Sequence, residues 1–305
     1  MEFNPDITIA IPVYERYEYF EEAIYSALKQ TTKCHIIVVD NCSSHSLFKE
    51  FVENLNSEHV KYYKNDTNLG PIGNWNQCLF HVQTKWASIL HSDDMLSTSY
   101  VSIMSNYITD NPDQIAFMCK YESGEAPIDI LKTPCFAVIK TLKIKPSFFT
   151  FGNVTAFPGV IFDRTKVKKN SFTEKLHTVA DYDLWLNIAI QKPITLVNAK
   201  LAYYRLSPTQ DSANVYKKVI EQSFDYKKNH ILKTNRFMNF LAMYEIYYTY
   251  NFYKRKFNVA DSAHEFENEE INSYFNYFDK LPYIKFMPFI FKAYRKLYLY
   301  TSGLL

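Results

Sequence analysis

The chain contains 305 residues, a length sufficient for one large hydrophobic core or two smaller ones. Hydrophobic residues make up 47% of the chain, which is typical of a globular protein. Thirty-four basic and 32 acidic residues leave a formal net charge of +2, so the composition argues against a general nucleic-acid-binding protein.

The first hundred residues alternate between strand and helix patterns. Strand patterns occupy residues 7–13, 35–40, 59–65 and 86–91, and all but the third contain an apolar run typical of a buried strand. Apolar residues at helical spacing lie between these runs, in residues 20–30, 47–55 and 71–82. This alternation predicts an α/β fold with a doubly wound, mostly parallel sheet and helices on both faces. Ligands of such sheets bind at the carboxyl ends of the strands.

Polar residues follow each of the four strands, at the edge where a ligand would bind. They are Tyr14 after the first strand, Asp40 with Asn41 at the end of the second, Asn68 and Gly70 after the third, and Asp93 with Asp94 after the fourth. Each has a structural alternative, because Asp and Asn cap helices and glycine forms turns. Asp93 or Asp94 would cap a helix that begins near residue 97. Adjacent carboxylates repel each other, so the functional alternative is a cation that offsets their charge.

The second half of the chain is less regular. Residues 150–164 combine glycine, proline and aromatic residues, which predicts loops laid over the sheet edge. Residues 179–192 are predicted as an amphipathic helix and residues 194–206 as a further strand. The remainder has a helical pattern almost throughout. We therefore expect a sheet domain at residues 1–212 and a C-terminal helical region at residues 213–305.

Six segments, taken in order, carry the motifs of a known enzyme family. They are ITIAIPVYER, IIVVDNCSS, NDTNLGPIGNWNQCL, WASILHSDDML, VADYDLWLNIA and LAYYRLSPTQDS. Together they resemble glycosyltransferase family 2, the inverting enzymes of GT-A fold that use nucleotide-sugar donors. The resemblance extends over residues 5–212 and implies that this region is the nucleotide-sugar-binding and catalytic domain.

The resemblance assigns a nucleotide-binding role to residues at the ends of the first two strands. It implies that Pro12 and Tyr14 pack on the nucleotide base, where an aromatic face suits stacking. A core or surface role is the alternative for Tyr14, because the chain contains 25 tyrosines. Asp40 would accept a hydrogen bond from the base or the ribose. Its alternative is a turn-forming residue ahead of Ser43.

Four further residues match positions near the donor in this family. Asn68, Gly70 and Asn74 correspond to the family's loop beside the nucleotide, and the alternative for Gly70 is the turn into a helix. Arg205, at the end of the last predicted strand, would meet the diphosphate. Its alternative is a structural ion-pair partner, because a guanidinium binds carboxylates as readily as phosphates.

The family's metal motif matches Asp93 and Asp94. Mg²⁺ and Mn²⁺ prefer oxygen ligands, and a divalent ion with its bound diphosphate would offset both carboxylates. Asp94 is the expected metal ligand. Asp93 is expected to face the ribose or a water molecule in the second shell of the metal. His91 stands where relatives often have another acid. Ser207 stands where relatives often have His, so no further protein ligand is expected from that segment.

The second acidic pair, Asp181 and Asp183, begins the predicted helix of residues 179–192. The family places its general base at the position matched by Asp181, where a carboxylate takes the proton of the acceptor hydroxyl. Asp183 is then secondary. The alternative for both is helix capping, because an acidic side chain stabilises a helix N-terminus.

The expected reaction is hexose transfer from a nucleotide-diphosphate donor, a UDP-sugar, with Mn²⁺ or Mg²⁺ as cofactor. The expected acceptor is a hydroxyl of a glycan or of a lipid-linked intermediate in cell-surface polysaccharide or lipooligosaccharide synthesis. The alternative is a non-catalytic nucleotide-sugar-binding or scaffold protein with the same fold. Metal-dependent release of UDP in the absence of an acceptor would favour the enzyme.

The cysteines and the termini predict a cytoplasmic protein. Five cysteines without a CxxC spacing fit neither a disulfide framework nor a zinc site. The N-terminus enters a strand pattern too early for a signal peptide. No apolar run reaches the roughly 18 residues needed to cross a bilayer. Any membrane contact is therefore expected to be peripheral.

Residues 285–300 have the pattern of a basic amphipathic helix. The apolar side would comprise Phe286, Phe289, Ile290, Ala293, Tyr294, Leu297 and Tyr298, and the basic side Lys292, Arg295 and Lys296. Such a helix would bind an anionic surface at the inner face of the cell membrane. The alternative is a helix packed on the catalytic domain with a solvated basic edge.

Overall fold

The computed structural model describes residues 2–124, 141–153, 157–167, 171–176, 178–206, 216–231, 236–256, 266–284 and 286–301. The chain separates into two packed units. The sheet unit comprises Met1–Ile144, Thr155–Lys175 and Asp183–Leu206, and the helical unit comprises Lys145–Val154, Leu176–Tyr182 and Ser207–Leu305. Two short segments of the expected residue 1–212 domain thus group with the C-terminal helices. The expected boundary itself lies outside the described residues.

The described part of the sheet unit is built on nine strands. In chain order they are β1 (Glu2–Val13), β2 (Thr32–Asp40), β3 (Val60–Lys64), β4 (Trp86–Ile89), β5 (Met95–Leu96), β6 (Ala116–Gly124), β7 (Thr141–Ile144), β8 (Val160–Asp163) and β9 (Ile194–Arg205). Their spatial order is β3-β2-β1-β4-β8-β6-β9-β5, and β7 pairs with the beginning of β9. The sheet is therefore parallel in its first half and mixed in its second.

The parallel half comprises β3, β2, β1 and β4. Its connections are helices α1 (Phe20–Leu28), α2 (Leu47–Asn54) and α3 (Gly70–His81). Residues 7–13 of β1 are all buried, and a strand buried on both sides requires cover on both faces of its sheet. The predicted α/β arrangement is confirmed in this half.

Strand β8 corrects the prediction of loops over residues 150–164. Its four residues are all buried, and it pairs antiparallel with β4 on one side and β6 on the other. Phe162 lies opposite Ala87 of β4 and Ala116 of β6. Four residues beside Gly159 give too short a pattern to predict a strand. Partners distant in the sequence supply the hydrogen bonds that form it.

The two residues that follow Asp94 form strand β5, which pairs antiparallel with β9. The next helix, α4 (Tyr100–Asp110), begins several residues later and has Ser99 at its N-cap position. Neither Asp93 nor Asp94 therefore caps this helix, and the capping interpretation of the pair is wrong. The adjacent carboxylates need another explanation.

Helices follow in the regions where the sequence predicts them. They are α5 (Ala180–Gln191), α6 (Tyr216–His230), α7 (Arg236–Lys256), α8 (Glu269–Asp279) and α9 (Met287–Thr301). Aromatic side chains join the last three helices: Tyr244 of α7 packs against Phe278 of α8 and Phe291 of α9, with ring centroids 5.5 and 5.4 Å apart. Such pairs add to the stability that buried area provides. The helical unit therefore has an aromatic core of its own.

Helix α9 has a packed side and an exposed side. Phe291 is buried against Phe151, whereas Phe286, Phe289 and Ile290 are exposed. Of the predicted apolar side, Tyr294 packs against Phe151 and Phe237, whereas the three residues at its beginning are exposed. Leu297, Tyr298 and Arg295 belong to the prediction, but their side chains lie outside the described part of the chain. Among the described helices, none is long and apolar enough to cross a membrane.

Candidate active site

A network of asparagine side chains joins the carboxyl ends of β2 and β3 to the start of α3. Asn41 lies at its centre and is almost fully buried. Its Nδ2 donates to Oδ1 of Asn68 at 2.8 Å and to the carbonyl of Gly70 at 3.1 Å. Its Oδ1 accepts from Nδ2 of Asn65 at 3.1 Å and from the backbone N–H of Leu69 at 2.9 Å. All four hydrogen-bonding positions of this amide are thus used.

Asn74 extends the network to the end of β1. Its Nδ2 donates to the carbonyls of Val39 and Val13, at 3.0 and 3.4 Å, and its Oδ1 accepts from Asn65. Gly70 begins α3 with φ at +71°, in the left-handed region that glycine adopts most easily. The predicted loop residues therefore lie together at the edge of the parallel strands.

The other residues predicted to bind the nucleotide differ in their solvent exposure. Pro12 is buried within β1, whereas Tyr14 has 44% of its surface exposed just beyond the strand. Asp40 is fully buried. Its Oδ1 accepts from the backbone N–H and the hydroxyl of Ser43, and its Oδ2 accepts from the hydroxyl of Tyr62 at 2.5 Å. The contacts with Ser43 are those expected of a turn-forming Asp40. Burial, and next the hydrogen bond to Asp40, raise the pKa of Tyr62.

Asp94 lies beyond the end of β4 with only 1% of its surface exposed. Its Oδ1 accepts a hydrogen bond from the backbone N–H of Arg205 at 3.0 Å. Its Oδ2 is buried and accepts no hydrogen bond from any described residue. Burial, and next the neighbouring Asp93, raise the pKa of the Asp94 carboxyl well above its usual range. A buried carboxylate oxygen left in this state is energetically unfavourable.

Arg205 makes structural contacts around the acidic pair. Its guanidinium forms an ion pair with Glu22 at 2.6 Å, donates from Nε to the carbonyl of Asp93 at 2.9 Å, and stacks over the ring of Tyr19 at 4.2 Å. The side chain is almost fully buried. These are the contacts of the ion-pair alternative, and they hold the backbone on which Asp94 stands.

The residues around Asp94 fit a divalent cation. Ligand atoms of His91, Asp93 and Asp94 all lie within 4.8 Å of one another. Carboxylate oxygens are the ligands that Mg²⁺ and Mn²⁺ prefer. A cation would also satisfy the buried Oδ2 of Asp94 and offset the repulsion between the two acids. Asp94 and Asp93 are therefore the residues that would hold a metal.

In the helical unit, Asp181 is half-buried in the first turn of α5. Its Oδ2 accepts a hydrogen bond from Nδ2 of Asn153 at 2.8 Å, and its Oδ1 accepts from the backbone N–H of Tyr182. Burial raises the pKa of Asp181 to about 6, and the two hydrogen bonds partly oppose that rise. A carboxylate with such a pKa is suited to accept a proton near neutral pH.

A buried ion pair supports the segment that carries Asn153. Nζ of Lys227, on α6, binds the carboxylate of Glu245, on α7, and also donates to the carbonyl of Thr150 at 3.1 Å. The Glu245 carboxylate lies against Gly152, where an added Cβ would be only 2.7 Å from Oε1. Two helices of the helical unit thus fix the backbone immediately before Asn153.

Asp183 has a different environment from Asp181. It is buried in the sheet unit, where its Oδ1 accepts from Nδ2 of Asn187 at 3.0 Å and its Oδ2 from the hydroxyl of Thr173 at 3.3 Å. Both carboxylate oxygens therefore have donors within their own unit. These contacts are consistent with the secondary role expected for Asp183.

The family of the chain follows from a comparison with protein-family models. Residues 8–168 match the family described as Glycosyl transferase family 2. The chain belongs to this family. The matched region contains the strand-end residues of the parallel half and the acidic pair after β4. The protein is therefore a glycosyltransferase that uses a nucleotide-sugar donor, and the predicted family is confirmed.

Individual glycosyltransferases resemble this family 2 enzyme over most of its length. UDP-Glc:alpha-D-GlcNAc-diphosphoundecaprenol beta-1,3-glucosyltransferase WfaP of Escherichia coli is 28% identical over 71% of this chain and 84% of its own. The structure of S. aureus TarS 1-349 in complex with UDP covers 99% of this chain and 92% of its own, with a TM-score of 0.54 and 16% identity. The mannosyltransferase PcManGT from Pyrobaculum calidifontis, in complex with GDP-Man and Mn²⁺, covers 98% and 86%, with a TM-score of 0.55 and 13% identity. These likenesses confirm the predicted GT-A fold.

The structure of this glycosyltransferase places further residues in contact with the predicted ones. Asn65 is central to the amide network, yet short polar turns after strands are too common to single it out. Asn41 is named in the sequence as a strand-end residue, but its central position in the network is visible only in the structure. Asn153 contacts Asp181 across 28 residues of irregular chain, so no periodic pattern connects them. For His91 a signal existed, because it occupies a position where relatives often carry an acid.

Proposed function

We propose that this enzyme is a metal-dependent, inverting hexosyltransferase. It transfers a sugar from a UDP-sugar to a hydroxyl of a glycan or of a lipid-linked acceptor in cell-surface polysaccharide or lipooligosaccharide synthesis. The observation that carries the proposal is the buried Oδ2 of Asp94, which no described donor satisfies and which lies beside a second carboxylate at the end of a parallel strand.

In this proposal Asp94 holds a Mn²⁺ or Mg²⁺ ion and Asp93 completes the acidic pair toward the ribose. When bound, the cation stabilises the negative charge of the departing diphosphate. Arg205 holds the pair in place, because its Nε donates to the carbonyl of Asp93 and its backbone N–H donates to Oδ1 of Asp94. In this proposal the positive charge of its guanidinium, which is paired with Glu22, also favours a diphosphate bound nearby.

The nucleotide lies, in this proposal, along the strand ends that precede the acidic pair. The exposed ring of Tyr14 offers a face for stacking on the base. Pro12, which is buried in β1 two residues earlier, would pack on the same base. Asn68, Gly70 and Asn74 line the neighbouring loop, which the amide network holds in place. Asp40 holds this edge in place by accepting hydrogen bonds from Ser43 in the turn after β2 and from Tyr62 on β3. In this proposal it acts on the ribose indirectly, by positioning these residues.

Asp181 acts as the general base. The carboxylate takes the proton of the acceptor hydroxyl while that oxygen forms a bond to the anomeric carbon. The bond from the anomeric carbon to the diphosphate breaks on the opposite side, so the configuration inverts. The raised pKa of Asp181 supports this role, since a base that titrates near the working pH transfers protons most effectively.

An exposed apolar surface at the start of α9 and in the turn before it supports a membrane-associated acceptor. We call Tyr283, Phe286, Phe289 and Ile290 the apolar tip; their exposed fractions are 70, 66, 78 and 51%. Lys280, Lys292 and Lys296 are exposed on the same stretch of chain. Aromatic residues next to cations are typical of surfaces that bind anionic lipid. The name of the E. coli relative likewise specifies a lipid-diphosphate acceptor for that protein.

The proposal is tested by measuring UDP release from a panel of UDP-sugars without acceptor. We expect slow release with one UDP-sugar, dependent on added Mn²⁺ or Mg²⁺ and abolished by EDTA. NMR of the transferred sugar, once an acceptor is found, would determine the anomeric configuration. Release that proceeds equally well in EDTA would contradict the metal dependence, and a product with retained configuration would contradict inversion.

A further inference from the structure

His91 lies two residues beyond β4 in a fixed aromatic environment. Its ring stacks on Trp75 of α3, with centroids 5.2 Å apart and planes 21° apart, and lies 4.5 Å from the ring of Phe157. Phe157 in turn packs against Trp185. Only 24% of the His91 side chain is exposed. An imidazole packed in this way has little rotational freedom, so the direction of its nitrogens is set by the fold.

The imidazole is directed toward the unsatisfied oxygen of the acidic pair. Nδ1 of His91 lies 3.9 Å from Oδ2 of Asp94. That distance is too long for a hydrogen bond. It suits two ligands of one ion, since bonds of about 2 Å place such atoms roughly 3 to 4 Å apart. A ligand atom of Asp93 lies within 4.8 Å of both.

We propose that His91 supplies a nitrogen ligand to the cation held by Asp94, and thereby makes the site select Mn²⁺ or Co²⁺ over Mg²⁺. This inference rests on the proposed metal dependence and deepens it. Mg²⁺ demands oxygen ligands and retains its waters, whereas first-row transition ions accept imidazole nitrogen more readily. An acid at position 91 would remove that discrimination, because the site would then consist of carboxylate oxygens alone.

The proposal is tested on the full-length protein with Mn²⁺ and UDP by electron spin echo envelope modulation, which detects ¹⁴N bonded to Mn²⁺. We expect ¹⁴N modulation in the wild type and its loss in His91→Phe and His91→Asp. Phenylalanine retains the stacking on Trp75 but has no ligand atom. His59→Phe is the matched control, because His59 also stacks on an aromatic ring, that of Phe3, but precedes β3 at the other end of the strands.

Equilibrium binding provides the second measurement. Mn²⁺ affinity in the presence of UDP should fall at least about tenfold in His91→Phe, and the ratio of Mn²⁺ to Mg²⁺ affinity should fall by a similar factor in His91→Asp. His59→Phe should change neither. Circular dichroism and thermal melting of each variant establish that the protein is folded before binding is compared.

The outcomes separate this inference from the proposed function. If the wild type binds Mn²⁺ without ¹⁴N modulation, or if His91→Phe retains the full affinity, His91 is not a ligand, although the metal-dependent function stands. If the wild type binds no Mn²⁺ even with UDP present, the metal dependence fails and the inference fails with it. An ion pair between His91 and Asp94 that replaces the metal would give that second result.

Discussion

Nδ2 of Asn153 donates a hydrogen bond to Oδ2 of Asp181 at 2.8 Å, although 28 residues separate them in the chain. The donor stabilises the ionised form of the carboxyl and directs its remaining lone pairs. Lys227 and Glu245 in turn fix the backbone before Asn153. The C-terminal helices therefore contribute to the position of the proposed base, in addition to any part they play in membrane binding.

Asp181→Asn should retain donor binding and lose transfer by about 10² to 10⁴, the usual contribution of a general base. An amide has the same shape as the carboxylate but cannot accept the proton. The measurement is kcat for transfer together with UDP affinity. Asp183→Asn serves as the control and should have a smaller effect. Equal losses in the two variants would contradict the assignment of Asp181.

Asn153→Ala should move the acidic limb of the kcat/KM profile to higher pH by roughly one pH unit. The base must be deprotonated, so the rate rises with pH through the pKa of Asp181, which is about 6. The amide of Asn153 lowers that pKa, and its removal raises it.

The control for this pH shift is Asn187→Ala, which removes the matching amide from Asp183 and should leave the profile in place. Tyr182 and Tyr253, the described titratable side chains coupled to Asp181, have pKa values raised first by burial, so neither ionises near pH 6. The negative charge of Glu245 further raises the pKa of both tyrosines. An unchanged profile in Asn153→Ala would show that this hydrogen bond does not set the pKa of the base.

Gly152→Ala should destabilise the protein more than Gly70→Ala. Both glycines have positive φ, at +89° and +71°, so alanine is strained at either position by about 1 to 3 kcal/mol. Gly152 also has ψ at −169°, in a region that glycine alone adopts readily. At Gly152 the new methyl group would in addition collide with Glu245, whereas at Gly70 no atom lies within 4 Å. Urea unfolding measures the two changes, and equal losses would contradict this expectation.

The parallel half of the fold was predictable because most of its strands are continuous apolar runs that need no partner to be recognised, and helical patterns separate them. Residues 7–13 and 35–40 are examples. Strand β8 was not predictable, because its four residues become a strand only through pairing with β4 and β6. Local pattern thus determines the first half of this sheet, and contacts between distant segments determine the second.

The candidate site also combines residues that the sequence predicts with contacts that only the structure reveals. Asp94 and Asp181 follow from family motifs in the sequence, and the structure adds what surrounds each of them. The partners that tune these carboxylates, Arg205 and Asn153, are 111 and 28 residues away along the chain. The sequence singles out Arg205 but gives no local signal that its backbone N–H contacts Asp94, and it gives none for Asn153. Their roles emerge only when the chain is folded.

Asp94→Ala should abolish metal-dependent UDP binding, and Asp93→Ala should weaken it less. Asp94 has the buried, unsatisfied oxygen that a cation would occupy, whereas Asp93 is partly exposed to water. Isothermal titration with UDP in Mn²⁺ and in EDTA measures the difference. If the Asp94 variant binds UDP in Mn²⁺ as tightly as the wild type, another group holds the metal.

The double variant Phe286→Ser/Phe289→Ser should lose binding to anionic vesicles and retain UDP release. The two side chains are 66 and 78% exposed, and their burial at a headgroup boundary would drive association, with about 1 kcal/mol from each nearby basic residue. Co-sedimentation at low and high salt measures both contributions. Phe252→Ser is the control, since Phe252 is another exposed phenylalanine, at 55%, but lies on α7. Equal binding by both variants would place the contact elsewhere.

The asparagine network around Asn41 has a consequence for calorimetry. Its members, Asn41, Asn65, Asn68 and Asn74, hold the strand ends through amides alone, and an amide has no proton to gain or lose at ordinary pH. Titrating UDP in two buffers of different ionisation enthalpy counts the protons exchanged on binding. The asparagine amides contribute no protons to this measurement. Any protons exchanged on UDP binding therefore come from ionisable groups of the protein and from the nucleotide itself.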